Sequence, residues 1–331
     1  MEIAFTECVA ITDPTSVGAA RRSAASAAAK LGLNETRAGE FALLATEVSR
    51  NVLIHGGGGQ VIVTGSKTHG ADPVARILAL DGGSGIENLA RALSDGYSTA
   101  GTMGAGLGAM KRLATRFEVF TGRTGTIVLL ELSNSEHKGN LQFAGVALPY
   151  PGEHISGDGW YCEYTNERTV ALLVDGLGHG RGAAEAAEEA IATFRQRASL
   201  SPAEILNYVH DALKKTRGAV AAVVEIRPSQ GVLNYAGVGN ISASIIREGR
   251  SKSLMSYNGT LGMVIQKIQE LRFEWAPDSV FVMHSDGLQS KWDLLSYSGL
   301  ISRHPALICG ALIRDFRRNR DDASVVVFKG A

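Results

Sequence analysis

The chain has 331 residues, and its 33 lysines and arginines balance 33 aspartates and glutamates, so net charge points to neither nucleic acid nor an anionic membrane as a partner. That length exceeds one ordinary core and predicts two domains of roughly 130 to 190 residues. Cys8, Cys162 and Cys309 are far apart with no CxxC pair, which reads as reduced thiols in a cytoplasmic protein without a zinc site. The N-terminus has no basic segment followed by an apolar one, and no apolar run reaches the roughly 18 to 20 residues of a membrane span, so neither a signal peptide nor a membrane protein is expected.

In chain order, the Ala-rich stretch 15–33 predicts a helix ending near Gly32. A second helix starts at the N-cap Asn34, places Phe41, Leu44, Val48 and Val52 on one face, and stops at the glycines 56–59. Strands are expected at 60–65 and 74–80, then a short helix from about 107, then a hairpin in "FEVFTGRTGTIVLLEL". The polar run 134–140, "NSEHKGN", separates a first domain, 1–133, from a second, 141–331. In the second, strand-like runs recur at 142–148, 159–165, 169–174, 219–226, 232–236, 242–247, 279–284 and 323–328, with helices near 181–197 and 202–216. Both halves read as α+β.

The glycine-rich "GTMGAGLGAMKRL", residues 101–113, follows a polar stretch, so it is not a dinucleotide-binding turn, and it lacks the GxxxxGK[ST] of a P-loop. Its upstream context is informative. Glu47 and Asn51 stand four apart on one helix face, and "LDGGSGI" sets Asp81 after an apolar strand with Gly83 and Gly85 behind it. Taken singly, these are a polar stripe and a turn. An amide oxygen such as that of Asn51 can serve a nucleotide's Mg²⁺ without adding charge, and a carboxylate one turn earlier can accept a hydroxyl proton.

In order, ExxxN, DxGxG and GxGLGxxKRL resemble the GHKL ATPases, whose fold is the Bergerat α/β sandwich, over about residues 35–132. The wording "EVSRNVLIHGGGG", "DGGSGI" and "DGYSTAGTMGAGLGAMKRL" is most similar to the RsbT-like serine kinases of bacterial partner switching. The resemblance implies ATP and Mg²⁺ as cofactors, Glu47 as the proton acceptor, and Asn51 as the magnesium ligand. It also implies that Asp81 binds the adenine amino group, with Gly83 admitting the ring and Gly85 shaping the turn. Thr126 matches the adenine-side threonine. Thr99, Gly104, Gly106, Leu107 and Gly108 belong to a lid over the phosphates. Lys111 and Arg112 face either phosphate or solvent.

In the second half, "TVALLVDGLGHG" and "SVFVMHSDGL" end apolar strands with Asp175–Gly176 and Asp286–Gly287. "SGDGWY" puts Asp158 before a strand, and "RDDASVVVF" puts Asp321 and Asp322 before the last one. Each Asp-Gly alone is a turn signal. Four carboxylate clusters at strand ends predict a pair of hard divalent cations able to serve phosphoester hydrolysis.

These motifs, with "AGVGN" and "DDASVVV", resemble the SpoIIE branch of the PPM (protein phosphatase 2C-type) enzymes, most of all the short RsbX-like members, over about 141–331. The resemblance implies an α/β–β/α sandwich holding two Mn²⁺ or Mg²⁺. Asp175 would bridge both ions and the Gly176 carbonyl would bind one. Asp158, Asp286 and Asp321 would complete the shells, with Asp322 as the alternative to Asp321. Leu177 stands where the wider family often has a histidine, so the general acid is His179 or a metal-held water. His284 reads as buried or capping, Asn240 as a turn residue, and Trp160 and Trp292 as packing or rim residues.

Together the halves imply a bifunctional regulator. One domain phosphorylates a serine or threonine of a STAS-domain protein in a sigma-factor pathway, and the other removes phosphate from phosphoserine or phosphothreonine. The alternative makes the first domain an ATP-binding module that only grips a partner. Oligomerisation is open, with the Ala/Glu-rich helix after Asp175 as a contact.

Overall fold

Asp13 opens the first helix, its Oδ1 accepting the amides of Thr15 at 2.7 Å and Ser16 at 3.2 Å. In this computed structural model, residues 3–67, 73–93, 106–133 and 141–330 are described, and the chain divides into two units, Met1–Lys138 and Gly139–Ala331. The 134–140 segment, expected to be a linker, lies outside the described residues.

The first unit runs β1 (Ile3–Ile11), α1 (Pro14–Leu31), α2 (Glu35–Gly56), β2 (Gly59–Lys67), β3 (Val74–Asp81), α3 (Leu89–Ala92), α4 (Leu107–Leu113), β4 (Arg116–Gly122) and β5 (Gly125–Leu132). Its antiparallel sheet has the order β1-β2-β3-β5-β4. Helices α1 and α2 pack on one face. The α1 alanines Ala20, Ala24, Ala27 and Ala28 are fully buried with Phe41, Leu44, Val48 and Val52 of α2, since small side chains let two helices approach each other and the sheet closely. Gly32 and Gly57 end the helices in left-handed conformations. Strand β1 is absent from the sequence-based expectation. Its Glu7 stands in register with the core-packing Phe5 and Val9, and accepts from Ser23 and Lys30 of α1, each at 2.7 Å.

The second unit runs β6 (Leu141–Leu148), β7 (Asp158–Tyr164), β8 (Thr169–Gly176), α5 (Arg181–Arg197), α6 (Pro202–Ala212), β9 (Ala219–Arg227), β10 (Val232–Val238), β11 (Ser242–Arg247), β12 (Arg250–Leu254), β13 (Leu271–Glu274), β14 (Val280–His284), α7 (Pro305–Phe316) and β15 (Ala323–Gly330). Two five-stranded sheets, β13-β10-β9-β8-β7 and β12-β11-β14-β15-β6, face each other. Leu173, Val224 and Leu233 of one interlock with Ile245, Met283 and Phe328 of the other. Helices α5 and α6 cover the outer face of the first sheet, and α7 packs on β15 and β6. The alanines of α5 turn inward onto this unit's own sheet.

Helix α7 and the short strands β12 and β13 escape sequence reading. "PALICGALI" is buried all along its length and shows no amphipathic period, whereas "RSKSL" is polar and exposed until its last residue.

Phe194 of α5 is fully buried, with its ring 5.9 Å from that of Tyr161. Phe194→Ala should cost about 3–5 kcal/mol of this unit's stability, read as a lower urea midpoint.

Candidate functional site

In the first unit, the structure brings Gly83 and Thr126 together on Asp81 at the end of β3. Its Oδ1 accepts the amides of Gly83 at 2.9 Å and Thr126 at 3.1 Å. The Thr126 hydroxyl pairs with Thr121 Oγ1 at 3.1 Å, and Thr121 Oγ1 accepts the Ile86 amide at 2.7 Å. One carboxylate and two threonines thus tie the DGGSG turn to the β4–β5 hairpin. Thr121 was not singled out from the sequence, because a threonine in a hairpin strand carries no local signal.

The end of α2 rests directly on this hub. A Cβ on Gly56 would lie 2.4 Å from that of Asp81, and one on Gly83 would lie 3.0 Å from the His55 carbonyl. Gly85 has φ +79° and backs onto the Gly122 carbonyl, a position closed to a side chain. The Glu47 carboxylate, mostly shielded, has Arg50 at 3.8 Å, and Asn51 follows one turn later, half-buried. Gly106 caps α4, while Leu107, Gly108 and Met110 are buried and anchor that helix to the core. Lys111 and Arg112 are exposed in its last turn. Thr99 and Gly104 lie outside the described residues.

In the second unit, β7 and β8 pair so that Asp158 stands directly opposite Asp175. Directly opposed like charges destabilise a strand pair, and here Asp158 is buried and Asp175 partly buried. Burial raises Asp175 to about 9, aided by repulsion from Asp158, Asp286, Asp321 and Asp322. Burial likewise lifts Asp158 to about 7, against the opposing hydrogen bond from Ser285 and with repulsion from Asp322 and Asp321. Asp321 and Asp322 are also raised, first by burial. Five aspartates from four separate chain segments are therefore close enough to perturb one another.

Their supports are specific. Ser285, fully buried, donates to Asp158 Oδ2 at 2.5 Å and accepts the Ser324 amide at 3.0 Å, joining the two sheets at the acidic end. Asn240 donates to Asp286 Oδ2 at 2.8 Å, so it orients a carboxylate in addition to shaping its turn. A Cβ on Gly287 would fall 1.8 Å from the Asp322 carbonyl, which explains the glycine of "SDGL" as a close approach of two backbones. Asp322 Oδ1 accepts the Tyr150 amide at 2.7 Å, and its buried Oδ2 has no hydrogen-bond partner among the described residues. Gly176 leaves no room for a side chain beneath α5, since its Cβ would meet the Ala183 carbonyl at 2.3 Å.

His179 lies on the same rim. Its Nδ1 is 2.5 Å from Glu153 Oε1, and its ring stacks on Tyr150 with centroids 4.7 Å apart. Glu153 and Tyr150 escaped sequence reading because they lie before the SGDG motif and meet His179 only through folding. His284 is buried, its Nε2 accepting from Trp292 Nε1 at 2.9 Å, and burial holds it below the usual histidine value.

Among the described residues, no group of three or more His, Cys, Asp or Glu side chains forms ready metal-binding geometry. The donor chemistry nevertheless fits hard divalent cations: all-oxygen, acidic and mutually repelling around Asp175.

Facing sheets flanked by helices, with aspartates assembled at one end of the strands, define a PP2C-type phosphatase domain. The Stage II sporulation protein E (SpoIIE) family model matches residues 165–330, and the histidine kinase-like ATPase domain model matches 11–132. The chain belongs to the SpoIIE family and carries, ahead of that domain, an RsbT-like ATPase domain. Serine/threonine-protein kinase RsbT of Bacillus subtilis (strain 168) is 31% identical over 34% of this chain and 84% of its own length. Phosphoserine phosphatase RsbX of the same organism is 26% identical over 48% of this chain and 79% of its own. Among solved structures, a chain of the bacterial stressosome, described as a modular system adapted to control secondary messenger signaling, is 27% identical. It has a TM-score of 0.54 and spans 57% of this chain and 99% of that one. RsbX in complex with magnesium shares the fold at 22% identity and TM-score 0.54, over 65% of this chain and 100% of that one. Among the described residues, no helix is long and apolar enough to cross a membrane.

The raised carboxylates fix a sign. Asp158 and Asp175 hold protons in the folded chain that the unfolded chain releases near the ordinary aspartate value of 3.8, so they withdraw stability as pH rises toward about 7 and about 9. Without divalent cations, Asp175→Asn should therefore gain melting temperature over the parent chain, increasingly between pH 5 and pH 9. Mn²⁺ should raise the parent's melting temperature more at pH 8 than at pH 5, both read by differential scanning fluorimetry.

Proposed function

We propose that the protein is a cytoplasmic partner-switching regulator with two opposed activities. Its first unit transfers the γ-phosphate of ATP to a serine or threonine of a STAS-domain protein in a sigma-factor pathway. Its second unit hydrolyses phosphoserine or phosphothreonine. The observation that carries this reading is the coexistence, in one chain, of the Asp81 hub beneath the Glu47 helix and the five-aspartate cluster around Asp175. Support also comes from the curated relatives, a serine/threonine-protein kinase on one side and a phosphoserine phosphatase on the other.

For the first unit, Asp81 takes the adenine amino group while its Oδ1 stays anchored by Gly83 and Thr126. Gly83, Gly85 and Thr126 frame the base. Asn51 holds the nucleotide's Mg²⁺, and Glu47 accepts the proton of the incoming hydroxyl. Gly106, Leu107 and Gly108 serve the phosphate side of the nucleotide, and Thr99 and Gly104 are further nucleotide contacts in this reading. Lys111 and Arg112 remain solvent-facing, as their exposure favours.

For the second unit, Asp158, Asp175, the Gly176 carbonyl, Asp286 and Asp321 hold two Mn²⁺ or Mg²⁺. Asp321 is favoured over Asp322 because Asp322 is buried and committed to the Tyr150 amide, whereas Asp321 is partly exposed and feels Asp286 most among its charged neighbours. Bound there, the ions supply positive charge to the phosphate and lower the pKa of water. Ser285 and Asn240 keep Asp158 and Asp286 aimed. His179, steadied by Glu153 and Tyr150, delivers a proton to the leaving seryl oxygen.

Labelled ATP and a purified STAS-domain protein provide the test. Glu47→Ala should lower phosphotransfer about 100-fold or more with nucleotide binding retained. No transfer by the parent chain, with ATP still bound, would establish the first unit as a binding module instead. In parallel, Asp175→Asn should lose Mn²⁺-dependent release of phosphate from the phosphorylated protein, and full activity in that variant would refute the assignment of the acidic cluster.

A further inference from the structure

Five aspartates and two divalent cations leave the acidic site short of positive charge, and a phosphoserine adds close to two further negative charges. An additional cation should therefore face the phosphate. The charged groups along the Asp175 loop are already matched, His179 with Glu153 and Arg181 with Glu185 at 3.1 Å. Arg217 is different. It is exposed and pairs with no carboxylate among the described residues.

Its position follows from strand register. Gly176 pairs with Ala219 across β8 and β9, so Gly218 and Arg217 run on beside Leu177 and Gly178 as the strands end. The Leu177 amide donates to the Gly218 carbonyl at 3.1 Å, fastening the two segments together. The Arg217 side chain then lies across the loop. A Cβ on Gly182 would fall 2.6 Å from its Nε and 2.9 Å from its Cζ, and one on Gly178 would fall 3.4 Å from Nη1. Two glycines thus form a bed for the guanidinium. The adjoining Gly218 backs onto the Leu261 carbonyl, which a Cβ there would meet at 2.7 Å, so the chain next to Arg217 is held close to its neighbours. The guanidinium therefore lies beside the loop that carries Asp175 and His179, and its donors meet no acidic partner among the described residues.

We infer that Arg217 is the residue that binds the phosphate of the substrate, its planar fork hydrogen-bonding phosphate oxygens beside the metal-binding loop. This rests on the phosphatase reading above. An arginine suits the task because two parallel N–H donors match two phosphate oxygens, a geometry a lysine ammonium cannot reproduce. The bond is made to substrate and product alike, so it acts mainly on binding.

The test compares Arg217→Met, Arg217→Lys and the flanking Arg181→Met in the full chain with Mn²⁺, after melting curves establish that each is folded. Arg217→Met should raise KM for a phosphoserine peptide and the dissociation constant of inorganic phosphate, measured by calorimetry, each roughly 10- to 100-fold. Its kcat should fall less than about threefold, Arg217→Lys should be intermediate, and Arg181→Met should match the parent. The Mn²⁺ concentration for half-maximal thermal stabilisation should not move in any variant. Unchanged phosphate affinity in Arg217→Met, or a loss that tracks weakened Mn²⁺ binding, would overturn the assignment. A parent chain that binds phosphate through Arg217 yet hydrolyses no phosphopeptide would sink the phosphatase reading and leave the phosphate site standing.

Discussion

Carboxylate repulsion at the end of one strand pair organises the second unit. Asp158, buried, and Asp175, partly buried, face each other across β7 and β8, and three further aspartates converge from other segments. No polypeptide gains stability from such a cluster by itself, since burial and like charge both oppose ionisation. The surrounding structure accordingly spends its most specific contacts there. Ser285 ties Asp158 to the opposite sheet, Asn240 restrains Asp286, and the Tyr150 amide takes one oxygen of Asp322. The two hydrophobic layers, one between the sheets and one beneath α5 and α6, supply the rigid frame that holds the charges in place.

The first unit solves a gentler problem. Its organising carboxylate, Asp81, is stabilised by two backbone amides and stands among glycines that keep side chains away. Such a group serves as a fixed hydrogen-bonding anchor, whereas the aspartates of the second unit are poised for cations. One chain thus contains two acidic sites with opposite electrostatic character: one held by neutral donors and suited to a nucleotide base, the other frustrated and suited to divalent ions. That difference is the one the proposed pair of activities requires.

The motifs were legible because glycine and aspartate at fixed spacing report backbone constraints directly. DGGSG, VDGLGHG, SDGL and DDAS each sit at a strand end within their own unit and ExxxN on a helix, and the alternating or helical apolar runs located most of the core elements. What stayed hidden was either non-periodic or long-range. Helix α7 is apolar on all sides, and β1 carries Glu7 on its core-packing row because α1 supplies the partners. Glu153, Tyr150, Ser285, Thr121 and Arg217 have no local pattern, since each matters through a neighbour that folding alone brings within reach.

The sequence by itself determined the two α+β halves, the identity of the acidic and glycine motifs, and the kinds of chemistry they suit, because these depend on residue type and short-range spacing. Only the tertiary structure decided which carboxylates oppose one another, which side chains restrain them, and where an unmatched guanidinium lies. Those outcomes depend on strand register and on contacts between residues as much as 172 positions apart, as between Tyr150 and Asp322. Register and long-range packing are fixed by the fit of whole layers, a property no short stretch of sequence carries.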